Sequence, residues 1–431
     1  MSKERPTTWL WPLYRTLASA AAGGAAAWRV AAAMTGRHAR ARELGERLAL
    51  APALAGLPRG AMWLHGASVG EVRALAPLAA ALRRARGDLD LFVTASTPAG
   101  RERATEELRL PAVLAPLDAP GPVGRFLDQL SPRLHVVVET EIWPQRLAAL
   151  ERRGIPAALV SARLSAARLP RYRRLAPLFG PALASFRMVA PAGAADRERL
   201  LELGVPAQRL GPEGSLKWDS APDPPEPAGN AGLARELGLD AGRDWLVLGS
   251  AHPGEAGPLL LALAREEPAR AAGLVVAPRH LARVGQIAAE IEAAGFAAHL
   301  ASAGPRPAGD ARVLLVDRIG VLPRLYPLAA AAVLGGTFVP VGGHTPLEAA
   351  AAGCPLICGP HAEAQIDLVE PLARAGALLR VDDAGGAARA LAAWLADPAA
   401  RARAGAAGRR EVLARRGTAE QLARAVLEFA P

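Results

Sequence analysis

The sequence predicts an α/β protein built from two Rossmann-like halves, each around a parallel sheet. Three observations carry that prediction. From residue 61 onward, short apolar runs alternate with helical stretches rich in Ala, Arg and Leu, the βαβ pattern. The pattern breaks once, in DSAPDPPEPAGNA (219–231), where four prolines read as a linker. A chain of 431 residues also exceeds what one hydrophobic core commonly holds.

The elements follow in order. Strands are predicted in the first half at AMWLH (61–65), LFVTAS (91–96), RLHVVVET (133–140), PAALVS (156–161) and FRMVA (186–190). The second half offers DWLVLGS (244–250), GLVVAP (273–278), RVLLVD (312–317), AAAVLGG (330–336) and CPLICG (354–359), and helices close the chain. Two such halves joined by a Pro-rich segment suggest a cleft between them, with ligands at the carboxyl ends of the strands. Ahead of the first half, TTWLWPLYRTLASAAAGGAAAWRVAAAM (7–34) is apolar, but its charge-free stretch from Thr16 to Trp28 is shorter than the roughly 20 residues a spanning helix needs. Arg15 and Arg29 flank it. The expectation is a marginal anchor or interfacial helix held by anionic headgroups, a soluble amphipathic helix being the alternative.

A formal charge of +10 attracts polyanions, anionic lipid or phosphorylated substrates. Arginine is dispersed without an interleaved aromatic platform, which argues against nucleic acid. Cys354 and Cys358 lie in an apolar, strand-like run and read as buried thiols of a reducing compartment. No motif has metal-ligand spacing.

Four stretches carry candidate chemistry. In WLHGASVGEV (63–72), Ser68 and Glu71 have capping-box spacing, while Glu71 also sits where a general base would. In VVVETEIWPQ (136–145), Glu139 and Glu141 flank Thr140 directly after a hydrophobic strand, where carboxylates need a partner. EGSLKWDS (213–220) holds Lys217, one of two lysines among 51 basic residues, the other being Lys3. A compact ammonium enters geometries that a guanidinium fork cannot, although rarity alone leaves drift open. In GGTFVPVGGHTPLEAAAAGCPLICGPH (335–361), glycine pairs lead into a helix near Pro346, an arrangement suited to phosphate, with Glu348 placed for ribose hydroxyls. Arg279 and His280 in APRHLAR, and Ser250 and His252 in GSAHPGE, add weaker anion contacts. Arg163, Arg168, Arg171, Arg173 and Arg174 form either a solvated helix face or a docking site for a phosphorylated acceptor.

With HGASVGE, TASTPAGR, ETEIWP, SARLS, GSLKWD, PRH, DRIG and GGHTPLE in this order, the chain resembles the 3-deoxy-D-manno-octulosonic acid (Kdo) transferases, glycosyltransferase family 30. The resemblance implies a GT-B fold, two Rossmann-like domains facing a central cleft, with a short N-terminal membrane-associated helix. It implies an inverting, metal-independent enzyme that moves Kdo from CMP-Kdo to a lipid A precursor at the cytoplasmic face of the inner membrane; the N-terminal helix adds anionic lipids as expected partners, and no obligate protein partner or cofactor is expected. Glu71 matches the general base; Glu141 and Lys217 match positions that stabilise the transition state. Pro278 and Arg279, Ile319, Gly320 and Val321, and Thr345, Pro346, Leu347 and Glu348 match nucleotide-binding stretches. The expected domains are a membrane-associated segment (1–50), an acceptor-binding domain (51–220), the linker (221–233) and a nucleotide-sugar-binding domain (234–431). The chain departs from the family on the donor side, with Val321 for a usual Glu, Thr345 for Asn, Ala364 and Gln365 for Asn-Phe, and Ala330 where an acid is usual. Another nucleotide-sugar donor, or a non-catalytic lipid-binding relative, are the alternatives.

Overall fold

Runs of Val, Leu and Ala buried on both faces build parallel strands, because the crossover helices cover each side of the sheet. The computed structural model describes residues 9–223, 227–240, 242–307 and 312–430. It divides into two units, residues 1–220 with 416–431, and residues 221–415.

The first unit carries β1 (Met62–His65), β2 (Leu91–Ala95), β3 (Ala112–Leu114), β4 (Leu134–Val138), β5 (Ala157–Ala162) and β6 (Met188–Pro191) in the order β3-β2-β1-β4-β5-β6. All pairings are parallel. Side chains alternate between two cores. Leu64, Val93 and Val136 face one, while Trp63, Phe92 and Val137 face the other. The chain runs outward from β1 to β3, then returns to lay β4 beside β1. That switch point opens a crevice at the carboxyl ends of β1 and β4.

The second unit carries β7 (Trp245–Ala251), β8 (Gly273–Pro278), β9 (Ala298–Leu300), β10 (Val313–Leu315), β11 (Ala331–Leu334), β12 (Leu356–Cys358) and β13 (Leu378–Arg380), in the order β13-β12-β11-β7-β8-β10-β9. Its switch point lies between β7 and β11. Every strand predicted from the sequence is present. The sequence reading missed β3, β9 and β13, each of three residues and each at a sheet edge, where one neighbour suffices and the apolar run is short. Cys354 and Cys358 are buried free thiols.

Three boundaries differ from expectation. Residues 1–50 belong to the first unit, not to a separate segment. Glu46 is buried there, accepting the Leu114 amide at 2.7 Å and pairing with Arg101. The linker ends early, because Pro227–Leu237 is helical and buries Leu233 and Leu237; residues 224–226 lie outside the described residues. Proline suits a first helical position, where its missing N–H is not needed. Finally, residues 416–431 return to the first unit instead of ending the second. The Thr418–Leu427 helix lays Leu422, Ala423 and Val426 into the core formed by Leu75, Leu78 and Leu82. Asp219 fixes its start by accepting the amides of Gly417 (2.6 Å) and Ala419 (2.8 Å).

The N-terminal helix, Leu10–Met34, buries Ala22 and Ala32 and packs Ala18 and Ala25 near Leu48 and Ala119. It exposes Leu13, Leu17, Trp28, Val30 and Met34, with Trp9 exposed just ahead of it. No described helix is long and apolar enough to cross a membrane.

Candidate functional site

Four sequence motifs meet at the first unit's switch point. β1 ends at His65, and Gly66 lets the chain turn against the following helix: a Cβ there would lie 3.0 Å from Glu71 C and Val72 N. Ser68 caps the Val69–Ala85 helix by accepting the Glu71 amide at 3.3 Å. The cap does not consume the Glu71 carboxylate, which accepts the Ala67 amide at 2.6 Å through Oε2 and contacts Ser68 Oγ at 3.3 Å through Oε1. Burial, reinforced by the charges of Glu139 and Glu141 and opposed by the Ala67 amide, raises its pKa to about 7. A carboxyl with that pKa exchanges a proton readily near neutral pH.

β4 delivers the two glutamates to different partners. Glu139 has φ +62, a left-handed conformation that costs a non-glycine residue energy and is retained where the surroundings dictate it. It receives Lys217 Nζ at 3.0 Å and Arg163 Nη1 at 4.0 Å. Glu141 accepts Trp143 Nε1–H at 2.8 Å and faces His65 Nε2 at 3.5 Å. Burial would raise its pKa, but these donors and the nearby Arg146 guanidinium outweigh it and hold the carboxylate ionised. Lys217 therefore pairs with Glu139.

Lys217 is held by its loop. Ser161, at φ +50 on β5, accepts the Leu216 amide at 3.0 Å and donates to the Gly214 carbonyl at 3.3 Å. Leu216 and Trp218 are buried on either side, so the ammonium sits on an anchored turn.

Beneath these groups lies a buried charge network that sequence reasoning missed. Arg146 is fully buried, with its guanidinium over the rings of Trp63 (5.1 Å) and Trp143 (5.7 Å), and its Nε and Nη1 lack hydrogen-bond partners. Asp118 accepts the amides of Gln145 (2.9 Å) and Arg146 (2.7 Å), together with the Tyr14 hydroxyl at 2.6 Å. Tyr14 belongs to the Leu10–Met34 helix, so that helix is hydrogen-bonded to the residue fixing the loop behind Glu141. Burial and Asp118 push the Tyr14 phenol well above its ordinary value. The only sequence signals were His65 as the first residue of HGASVGE and Arg146 two residues after ETEIWP.

The second unit gathers His252 after β7, Arg279 and His280 after β8, and His344 after β11. His252 Nε2 lies 2.8 Å from His344 Nε2, so one ring donates and the other accepts. Burial, with Arg279 adding repulsion, lowers the pKa of His344 to about 4. Pro278 ends β8, and Arg279 is exposed, its amide donating to the Ala251 carbonyl at 3.0 Å. Ile319 is exposed, Gly320 turns the chain at φ +83, and Val321 is buried. Thr345 is exposed, and Pro346 caps a helix, Leu347–Ala351, that holds Glu348 in its first turn. The amides directly after β11, ahead of the second glycine pair and the Pro346 turn, already have an acceptor. Buried Glu255 accepts those of Gly336 (2.9 Å), Thr337 (3.2 Å) and Phe338 (3.1 Å), as well as that of His252 (2.8 Å).

Comparison with known proteins gives this arrangement a context. Residues 42–220 match the sequence profile of the family described as 3-deoxy-D-manno-octulosonic-acid transferase (kdotransferase). The 3-deoxy-D-manno-octulosonic acid transferase of Bordetella pertussis is 36% identical over 409 residues, 92% of this chain and 90% of its own length. That of Haemophilus influenzae is 30% identical over 370 residues, 85% of this chain and 86% of its own. Among solved structures, a glycosyltransferase from Rickettsia africae matches with TM-score 0.58 at 11% identity, covering 86% of this chain and 98% of that one. UDP-GlcNAc 2-epimerase from Neisseria meningitidis, bound to UDP-GlcNAc, matches at 0.56 and 10% identity with the same coverage. At such identities the two structures show the fold alone. The full-length relatives decide the matter: this chain belongs to the 3-deoxy-D-manno-octulosonic acid transferase family.

Proposed function

We propose that the protein is an inverting glycosyltransferase that moves Kdo from CMP-Kdo to a lipid A precursor. The observation that carries this reading is Glu71, whose carboxyl sits at the first unit's switch point with a pKa near 7, in a chain of this family. In the reaction an acceptor hydroxyl oxygen bonds to the anomeric carbon of Kdo as the bond from that carbon to the CMP phosphate breaks. Glu71 takes the hydroxyl proton, and CMP leaves with the bonding electrons. Lys217, fixed by Glu139, supplies a compact positive charge to the transition state, and Glu141 serves the same site as a held carboxylate. Arg279, with the segments Ile319–Val321 and Thr345–Glu348, holds the nucleotide. The reading needs no metal, positive charge coming from side chains and amides.

The reading also places the protein on the cytoplasmic face of the inner membrane. The exposed apolar side chains of the Leu10–Met34 helix suit the acyl boundary, and Arg15, Arg29, Arg37 and Arg40 suit anionic headgroups. The test is transfer from CMP-Kdo, generated in situ, to a tetra-acylated lipid A precursor by wild type and Glu71→Gln. Turnover by wild type alone supports the reading. A folded wild type that transfers nothing overturns it, and transfer from a different nucleotide sugar would reassign the donor.

A further inference from the structure

The fully buried face of β1 and β2 holds a chain of side chains to which the reaction above assigns no work. Trp63 Nε1–H donates to Thr94 Oγ1 at 2.7 Å. Thr94 Oγ1 lies 2.8 Å from His65 Nδ1, and His65 Nε2 faces Glu141 Oε2 at 3.5 Å. The parallel register that pairs His65 with Thr94 brings these groups together, so the motifs WLHGASVGE and TASTPAGR meet here.

We propose that Thr94 is a positioning residue: its hydroxyl, oriented by the Trp63 N–H, donates to His65 Nδ1 and places the single imidazole proton on Nε2, facing Glu141. The argument is a count of donors and acceptors. A hydroxyl has one proton, and a neutral imidazole has one N–H and one bare nitrogen. Trp63 can only donate, so Thr94 Oγ1 accepts from it and has its own proton to give. Nδ1 is the acceptor within reach, which leaves the ring proton for Nε2.

The opposite tautomer would point Nδ1–H at the Thr94 carbonyl, 3.0 Å away. That carbonyl already accepts the Gly66 amide at 3.2 Å. The Thr94 proton would then lose its Nδ1 acceptor, and the bare Nε2 would face an ionised carboxylate. Both faults fall on groups with no access to water, where an unpaired polar atom is expensive. A doubly protonated ring is ruled out at neutral pH, because burial and the Arg146 charge pull the His65 pKa down to about 4.

At 3.5 Å the contact from His65 to Glu141 is long, as catalytic hydrogen bonds often are before substrate arrives. The relay thus holds one donor in reserve for Glu141, beside the Trp143 N–H. Its effect on turnover rests on the Kdo-transfer reading, whereas the tautomer itself does not, so the two fail separately.

The test is histidine side-chain NMR on the full chain labelled with 15N-histidine, with His65→Asn assigning the signal. Wild type should carry the proton on Nε2. Thr94→Val, which keeps the shape and removes the hydroxyl, should move it to Nδ1, and Thr94→Ser should restore Nε2. Proton on Nδ1 in wild type, or on Nε2 in Thr94→Val, overturns the proposal. The wild-type spectrum alone can do so if the valine variant does not fold. In the transfer assay, Thr94→Val should lower kcat by about 10²-fold with little change in KM, and Thr94→Ser should recover it. A valine variant with unchanged kcat would remove the catalytic consequence.

Discussion

Replacing Glu71 by glutamine separates what the carboxylate costs from what it does. In the folded protein its pKa rises from 4.5 to about 7, and at about 1.36 kcal/mol per pH unit the difference amounts to roughly 3 kcal/mol. The folded carboxyl holds its proton more tightly than the unfolded one does. Its contribution to stability is therefore fully present below pH 4.5 and is lost as the pH rises through about 7. Glutamine has nearly the same shape, cannot ionise, and keeps a carbonyl oxygen for the Ala67 amide. The variant should match wild type in acid and exceed it by up to roughly 3 kcal/mol at about pH 8.5, while losing about 10²-fold to 10⁴-fold in kcat. The assay is native-state hydrogen exchange at the amides of β1 and β4, because a protein of two units has no single unfolding free energy. A stability difference that does not grow between acid and alkaline pH would refute the assigned environment. A glutamine variant with wild-type turnover would refute the base.

Three more expectations follow from named contacts. Lys217→Arg keeps the charge but not the compact fit against Glu139 at 3.0 Å, and should lose at least about tenfold in kcat at saturating substrate; an arginine variant as active as wild type would show that the geometry does not demand lysine. Leu422→Ala should cost about 2–5 kcal/mol, seen as faster exchange in β1 and β4 with β7 and β8 unaffected, and the reverse pattern would contradict the packing of that helix. Glu255→Gln leaves the amides of Gly336, Thr337 and Phe338 one carboxylate oxygen short, and should destabilise the second unit by about 1–3 kcal/mol while weakening CMP binding measured calorimetrically. Unchanged affinity would separate the Glu255 nest from the nucleotide site.

What the sequence made legible was local. Buried parallel strands advertise themselves as apolar runs, so the central strands of both sheets stood out, while β3, β9 and β13 did not. Motifs that end a strand could be placed at the crevice because a parallel sheet puts every such end on one side. Pairings across the sheet were another matter. Nothing in ETEIWP says that Lys217 goes to Glu139 and the imidazole to Glu141, since that depends on Glu139 adopting φ +62 and on Ser161 holding the 214–217 turn. Arg146 is one arginine among many in the sequence, and only the folded chain shows it buried against Trp63 and Trp143. Glu255 gave no signal, because three of its four amide partners lie 81–83 positions away in the chain.

The return of the Thr418–Leu427 helix to the first unit also imposes an order on biogenesis. A ribosome releases residues 1–220 first, yet Leu422, Ala423 and Val426 join the core around Leu75, Leu78 and Leu82 only at the end of synthesis. Between those events all of residues 221–415 must be made, an interval on the order of 10–40 s at roughly 5–20 residues per second. During that time a leucine stripe on the nascent first unit stays open to solvent and to other chains. Truncation by a dozen residues at the carboxyl terminus would accordingly injure the half of the protein that was synthesised earliest.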